Sequence, residues 1–197
     1  MCTTVPSYAF AYFLPISLEG MGYSAALAQI LSAPPCVVAC IVGYSLAVVA
    51  DRIHMRSPII AIQACMCIVG LSITAYATEN NGARFFGVFV GLSGTQGNVP
   101  AVLSYQSNNI RMNSKRSVGS ALQVGFGAIG GIMASTIFRS QDSPRYLNGI
   151  WVTIGCQFFM LALLVIMTAY FRVKNKQHRE GTLKEPLEGH PKFTYTY

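Results

Sequence analysis

Five stretches of the chain, 20–50, 57–78, 85–110, 117–138 and 146–171, contain no charged residue. A helix needs about 20 apolar residues to cross roughly 30 Å of hydrocarbon, so each is long enough to span a bilayer. A sixth, shorter window covers 1–18. The pattern predicts helices over about 3–18, 25–50, 57–77, 83–107, 117–138 and 149–171. Ser24 is the expected N-cap of the second. Pro34-Pro35 lies inside that helix and should kink it, because each proline removes a donor and clashes with the preceding turn. The connections are short, so sequence neighbours are expected to pack as antiparallel hairpins. The expected fold class is an all-α membrane protein with six transmembrane helices in a bundle over 1–171.

Composition agrees: 52% of residues are hydrophobic and 11% charged, against about 25% charged in an ordinary soluble domain. Loop charge then sets the orientation. Arg52, Arg56, Arg111, Lys115, Arg116 and six more between Arg172 and Lys192 share one side, so that side holds 11 of the 14 Lys and Arg. Only Arg84, Arg139 and Arg145 fall on the other. The positive-inside rule makes both termini cytoplasmic in a multi-pass protein; the expected location, which the rule does not set, is the plasma membrane. The same rule accounts for the net charge of +7, so the lipid bilayer is the expected partner and nucleic acid is not. The polar, proline-bearing tail 172–197 is expected to be disordered and cytoplasmic.

Catalysis finds no residues. His54, His178 and His190 lie outside the apolar windows, and the acids before residue 179 are Glu19, Asp51, Glu79 and Asp142. There is no HExxH, no GxSxG and no carboxylate pair. An enzyme is therefore not expected, nor a catalytic residue, a metal ion or a cofactor. Cys36, Cys40, Cys65, Cys67 and Cys156 sit within apolar windows, where a thiol acts as a small hydrophobe. The N-terminus lacks the basic region of a signal peptide.

The polar residues inside the spans carry the functional expectation. The fourth span reads Gly87-x-x-x-Gly91, then Gly94-Thr95-Gln96-Gly97-Asn98-Val99-Pro100. Gln96 and Asn98 fall near mid-membrane, beside a proline that frees a carbonyl. Broken helices with polar groups at that depth are how many transporters build their sites; amides and glycines also glue helices together. The fifth span sets Gln123, Gly127 and Gly130/Gly131 on one stripe. Its glycines read as packing, and Gln123 reads as either cavity or glue. Tyr8 and Tyr12 share a face one turn apart, as a polar path or an interfacial belt. The candidate substrate-binding residues are Tyr8, Tyr12, Gln96, Asn98 and Gln123. No acid or base lies deep in any span, so a proton relay would need a titrating group from elsewhere.

Residues 47–56, Ala-Val-Val-Ala-Asp-Arg-Ile-His-Met-Arg, resemble the signature loop of the major facilitator superfamily, roughly Gly-x-x-x-Asp-Arg-x-Gly-Arg-Arg. Asp51, Arg52 and Arg56 match it and are the candidate gating residues of the cytoplasmic loop; Ala47, His54 and Met55 depart from it. Further stretches are Met21-Gly22-Tyr23-Ser24, 28–35, 116–123 and 138–146. They resemble the fungal anion:cation symporter group, with its allantoate-permease-like and high-affinity nicotinic-acid-transporter-like members. The resemblance covers about 5–175. It implies helices seven to twelve of a twelve-helix carrier, one half of the superfamily's bundle. It also implies secondary transport of a small organic anion such as nicotinate or allantoate, coupled to protons. The expected partner is then the missing N-terminal six-helix half, or a second copy of the chain. The alternative is a truncated, non-transporting membrane protein.

Overall fold

The computed structural model describes residues 1–19, 24–77, 80–137, 147–180 and 193–196. Those residues form helices and connections, with no strand among them. In order the helices are α1 (Thr4–Glu19), α2 (Ala25–Leu31), α3 (Ala33–Ile53), α4 (Ser57–Tyr76), α5 (Asn81–Asn108), α6 (Asn113–Ile137) and α7 (Leu147–Arg179). Taken as one rod, α2 and α3 make six rods, as the apolar windows predict. Four rods are long and apolar enough to cross a membrane on those grounds alone: Ala25–Ile53, Ser57–Tyr76, Asn113–Ile137 and Asn148–Arg179. Of the other two, α1 has only 16 residues, and α5 is diluted by glycines and amides across its middle.

Pro34-Pro35 does more than kink its helix. α2 ends at Leu31 with Ser32 as its cap, and α3 restarts with the prolines in its first turn, where they lack no partner. Ser24 is the N-cap of α2, although its side chain makes no capping bond. Asn80 does cap, its Oδ1 accepting from the Gly82 N–H at 3.1 Å. α5 is not broken: it runs as one helix through Gly94–Pro100. Pro100 removes the amide that would bond the Gln96 carbonyl. Both residues lie on an exposed flank of α5, where that carbonyl is not trapped in a packed interface.

Of the sequence neighbours, α4 and α5 pair extensively as expected, whereas the other consecutive helices do not. α5 is the hub, packed most extensively on α4 and then on α3, while α6 packs chiefly on α1 and α7 on α4; α3 and α4 barely touch. A short loop fixes where two helix ends lie, whereas small residues decide which faces can approach closely. On α5 those are glycines. A Cβ at Gly70 of α4 would fall within the backbone of Gly91 and 2.7 Å from the Gly87 carbonyl oxygen. A Cβ at Gly94 would lie 2.7 Å from the Cys67 amide nitrogen. The α6 stripe works similarly on α1, with Thr4 against Gly127 and Gly130 and the Tyr8 ring against Gly131.

Apolar side chains fill the interior, including Phe10, Leu71, Leu92 and Ile154 in one cluster and Ile60, Tyr105, Met160 and Leu164 in another. Large apolar side chains also cover the outside, among them Ile41, Ile132, Phe158 and Val165. That pattern suits contact with lipid.

The tail departs from expectation over the residues described. α7 continues eight residues past the anticipated end at Phe171, to Arg179. The short segment 193–196 is seated on the bundle rather than loose. Asn175 donates from Nδ2 to the Tyr195 carbonyl at 2.7 Å and accepts the Tyr195 N–H at 2.9 Å. Asn109 does the same for Thr196, at 3.0 and 2.9 Å. The Tyr195 ring stacks on Phe171 with centroids 4.6 Å apart. Two paired carboxamides and a ring stack outweigh the polarity that makes the segment read as disordered. Residues 181–192 and 197 lie outside the described residues.

Candidate functional site

Three helices meet around a cavity of about 220 Å³ between α1, α5 and α6, lined by Thr4, Tyr8, Val99, Gln123 and Gly127 among others. Its shape follows from the α6 glycines, which let α1 come close and leave room beside Gln123. The Gln123 Oε1 is buried without a hydrogen-bond partner. Tyr8 and Tyr12 stack with centroids 6.5 Å apart and are 41% and 49% exposed, so α1 turns an aromatic, hydroxyl-bearing face outward. Tyr8 and Gln123, two separate candidates in the sequence, thus line the same cavity.

Gln96 and Asn98 share no cavity. Two residues on a helix are about 200° apart, and α5 sends them to different sides. Gln96 is exposed, accepts from the Ser7 hydroxyl at 3.3 Å and lines a second cavity of about 460 Å³ between α3, α4 and α5. Asn98 is fully buried, and neither its Oδ1 nor its Nδ2 has a hydrogen-bond partner. It lines neither of these cavities.

Two amides went unremarked in the sequence. Gln63 on α4 is 1% exposed and Gln157 on α7 is 0% exposed, and the Oε1 of each lacks a partner. Gln157 Nε2 reaches the Cys2 carbonyl at 3.5 Å. The signal was available, since each is an isolated amide in an otherwise apolar window. Gln63 stands beside neither glycine nor proline and Gln157 has only Gly155 close by, whereas Gln96 and Gln123 lie among several glycines.

At the expected cytoplasmic end, Arg56 donates from Nη2 to Asp51 Oδ1 at 2.5 Å across the α3–α4 turn. Arg52 sits exposed in the last turn of α3. The pair thus forms between Asp51 and Arg56 and closes the turn. His54, in that turn, is left-handed at φ 54° and ψ 21°, the one positive-φ non-glycine residue described. It occupies the place of glycine in the signature pattern, and a side chain there costs about 1 kcal/mol. His54→Gly is therefore expected to raise the melting temperature of the detergent-solubilised protein by about 2–4 °C. An unchanged or lower value in a thermal-shift measurement would contradict this.

The chain is 28% identical to the high-affinity nicotinic acid transporter of Saccharomyces cerevisiae over 97% of its own length and 38% of that protein's. It is 27% identical to the MFS-type transporter cnsO of Penicillium expansum, over 91% of this chain and 35% of that one. With the major facilitator-type transporter hxnP of Emericella nidulans it shares 26%, over 87% and 36%. The chain thus spans little more than a third of the length of these relatives. No family model matches it, and no solved structure matches it. Its relatives are fungal transporters of the major facilitator type, and with its apolar helices they indicate a multi-pass membrane protein.

Proposed function

We propose that this bundle is the C-terminal six-helix half of a secondary transporter of the fungal anion:cation symporter group, not an enzyme. The solute is a small organic anion such as nicotinate, allantoate or a related carboxylate, and transport is driven by protons. The observation that carries the reading is the α1–α5–α6 cavity, where Tyr8 and Gln123, whose Oε1 is unpartnered, line a space with no carboxylate among its described lining residues. Similarity to transporters along nearly the whole chain supports it. The solute lies between this bundle and a second six-helix unit, supplied by the same polypeptide, a partner or a second copy. The exposed Tyr8, Tyr12 and Gln96 form this bundle's wall. The proton-carrying group belongs to that second unit. Asp51, Arg52 and Arg56 gate the cytoplasmic face, and both termini are cytoplasmic in the plasma membrane.

The test is uptake of radiolabelled organic acids by yeast cells carrying this bundle together with its second unit. Saturable uptake that rises with external acidity and collapses with a protonophore is expected. Tags after Tyr197 and within 108–114 should be cytosolic, and one at Asn80 external. Normal surface abundance with no uptake of any acid would favour a non-transporting membrane protein. Asn80 and Tyr197 on the same side would defeat the topology.

A further inference from the structure

The larger cavity, between α3, α4 and α5, has features that the α1–α5–α6 site does not explain. It reaches from Gln63 and Gln96 to Ser104 and Arg56, and Cys36 and Cys40 of α3 line one wall. Gln63 and Arg56 are seven residues apart on one stripe, about 10 Å along the helix axis. Arg56 is the only ionic side chain among the described lining residues. The Gln63 carboxamide gets there through a gap between helices. A Cβ on Gly97 would collide with Gln63 Nε2 and sit 3.3 Å from the Gly43 Cα. Two facing glycines thus leave a slot that the amide fills. Its Oε1 is buried and has no hydrogen-bond partner, an arrangement that disfavours folding unless something else recovers the loss.

We propose that this cavity is a second solute site, in which Gln63 Oε1 accepts a hydrogen bond from an N–H of a small organic anion. Gln96 Nε2 and the Ser104 hydroxyl supply donors to the carboxylate, and Arg56, ion-paired with Asp51, lines the far end of the cavity. The unpartnered acceptor on this lining residue sets the preference: a carboxylate that also carries an N–H fits better than one bearing acceptors only. The inference rests on the reading of this bundle as one wall of an anion carrier. The test, however, reads binding independently of uptake, so a failure of transport leaves it measurable.

Cys36 and Cys40 are native reporters. The full chain in yeast membranes is treated with N-ethylmaleimide, and labelling of these two thiols is followed by mass spectrometry against Cys65. Cys65 is exposed and lies outside the cavity lining. N-carbamoylglycine, a carboxylate with ureido N–H groups, is expected to slow labelling of Cys36 and Cys40 about fivefold, the factor one hydrogen bond supplies. Nicotinate, which has no N–H at neutral pH, should slow it less. Gln63→Met keeps the volume and removes the acceptor, so it should abolish protection by N-carbamoylglycine while thermal stability holds or rises. A merely structural Gln63 would leave protection intact in that variant. Equal protection in Gln63→Met, equal protection by nicotinate, or none by either probe overturns the proposal.

Discussion

Replacing Gly70 by valine should strip most of the folded protein from the membrane. The α4–α5 interface is the most extensive in the bundle, and at Gly70 it is a contact of backbone with backbone. A Cβ there meets the Gly91 main chain and the Gly87 carbonyl, neither of which can rotate away as a side chain tip could. Inserting methyl groups into a packed core costs about 1–3 kcal/mol even where side chains can shift. With two rigid helices the cost belongs at or above the top of that range. Separating α4 from α5 would also loosen α3 and α7, which pack on those two helices. Fluorescence-detected size-exclusion chromatography should show the monodisperse peak reduced to a small fraction. Gly155, whose Cβ would meet nothing within 4 Å, is the matched control, and Gly155→Val should leave the peak near its original height. Equal peaks for the two variants would mean that the glycine contact does not hold the bundle together.

The second large effect is on transport. Gln123→Ala should lower the initial rate of nicotinate uptake by about tenfold to a hundredfold, since a hydrogen bond to a charged group contributes about 1.5–3 kcal/mol. Surface abundance should stay near normal, because the amide oxygen removed has no partner to leave behind. Asn98→Leu separates two roles at one position. It removes two buried polar atoms that lack partners, so abundance should hold or rise. Uptake should fall if this face of α5 meets the solute as the carrier alternates. Rates normalised to surface biotinylation decide the matter. Activity and abundance falling together would assign both amides to helix packing.

The spans and the glycine stripes were legible because length, charge depletion and small-residue spacing are properties of one segment at a time. Which helix packs on which was not. That depends on how faces of different segments fit, so the hairpin expectation failed at α3 and α4. The candidate site was legible only in part, for the same reason. Tyr8 and Gln123 each carried a signal of its own, and the structure brings them together. Gln96 and Asn98 were joined by proximity along the chain, which the helical turn undoes. Gln63 matters because Gly43 and Gly97, on two other helices, open the slot it fills; no window around residue 63 contains that information. The α7 extension and the docked tail were hidden by polarity, since Asn109 and Asn175 look like ordinary loop and helix-end residues until both are paired with residues 195 and 196.

That seat has an unusual indifference to sequence. Asn175 and Asn109 exchange hydrogen bonds with the main chain of residues 195 and 196, much as a neighbouring strand would. A backbone presents the same N–H and C=O whichever side chain it carries, proline excepted. Substitutions at Thr194 should therefore be nearly silent for docking; Thr196 adds a long hydroxyl bond to Asn109 Oδ1 at 3.4 Å, and the aromatic ring against Phe171 gives the segment most of its address. Substitution is therefore expected to be tolerated along the segment more readily than at the two asparagines or that ring, so the constraint falls on the receptor more than on the strap it grips.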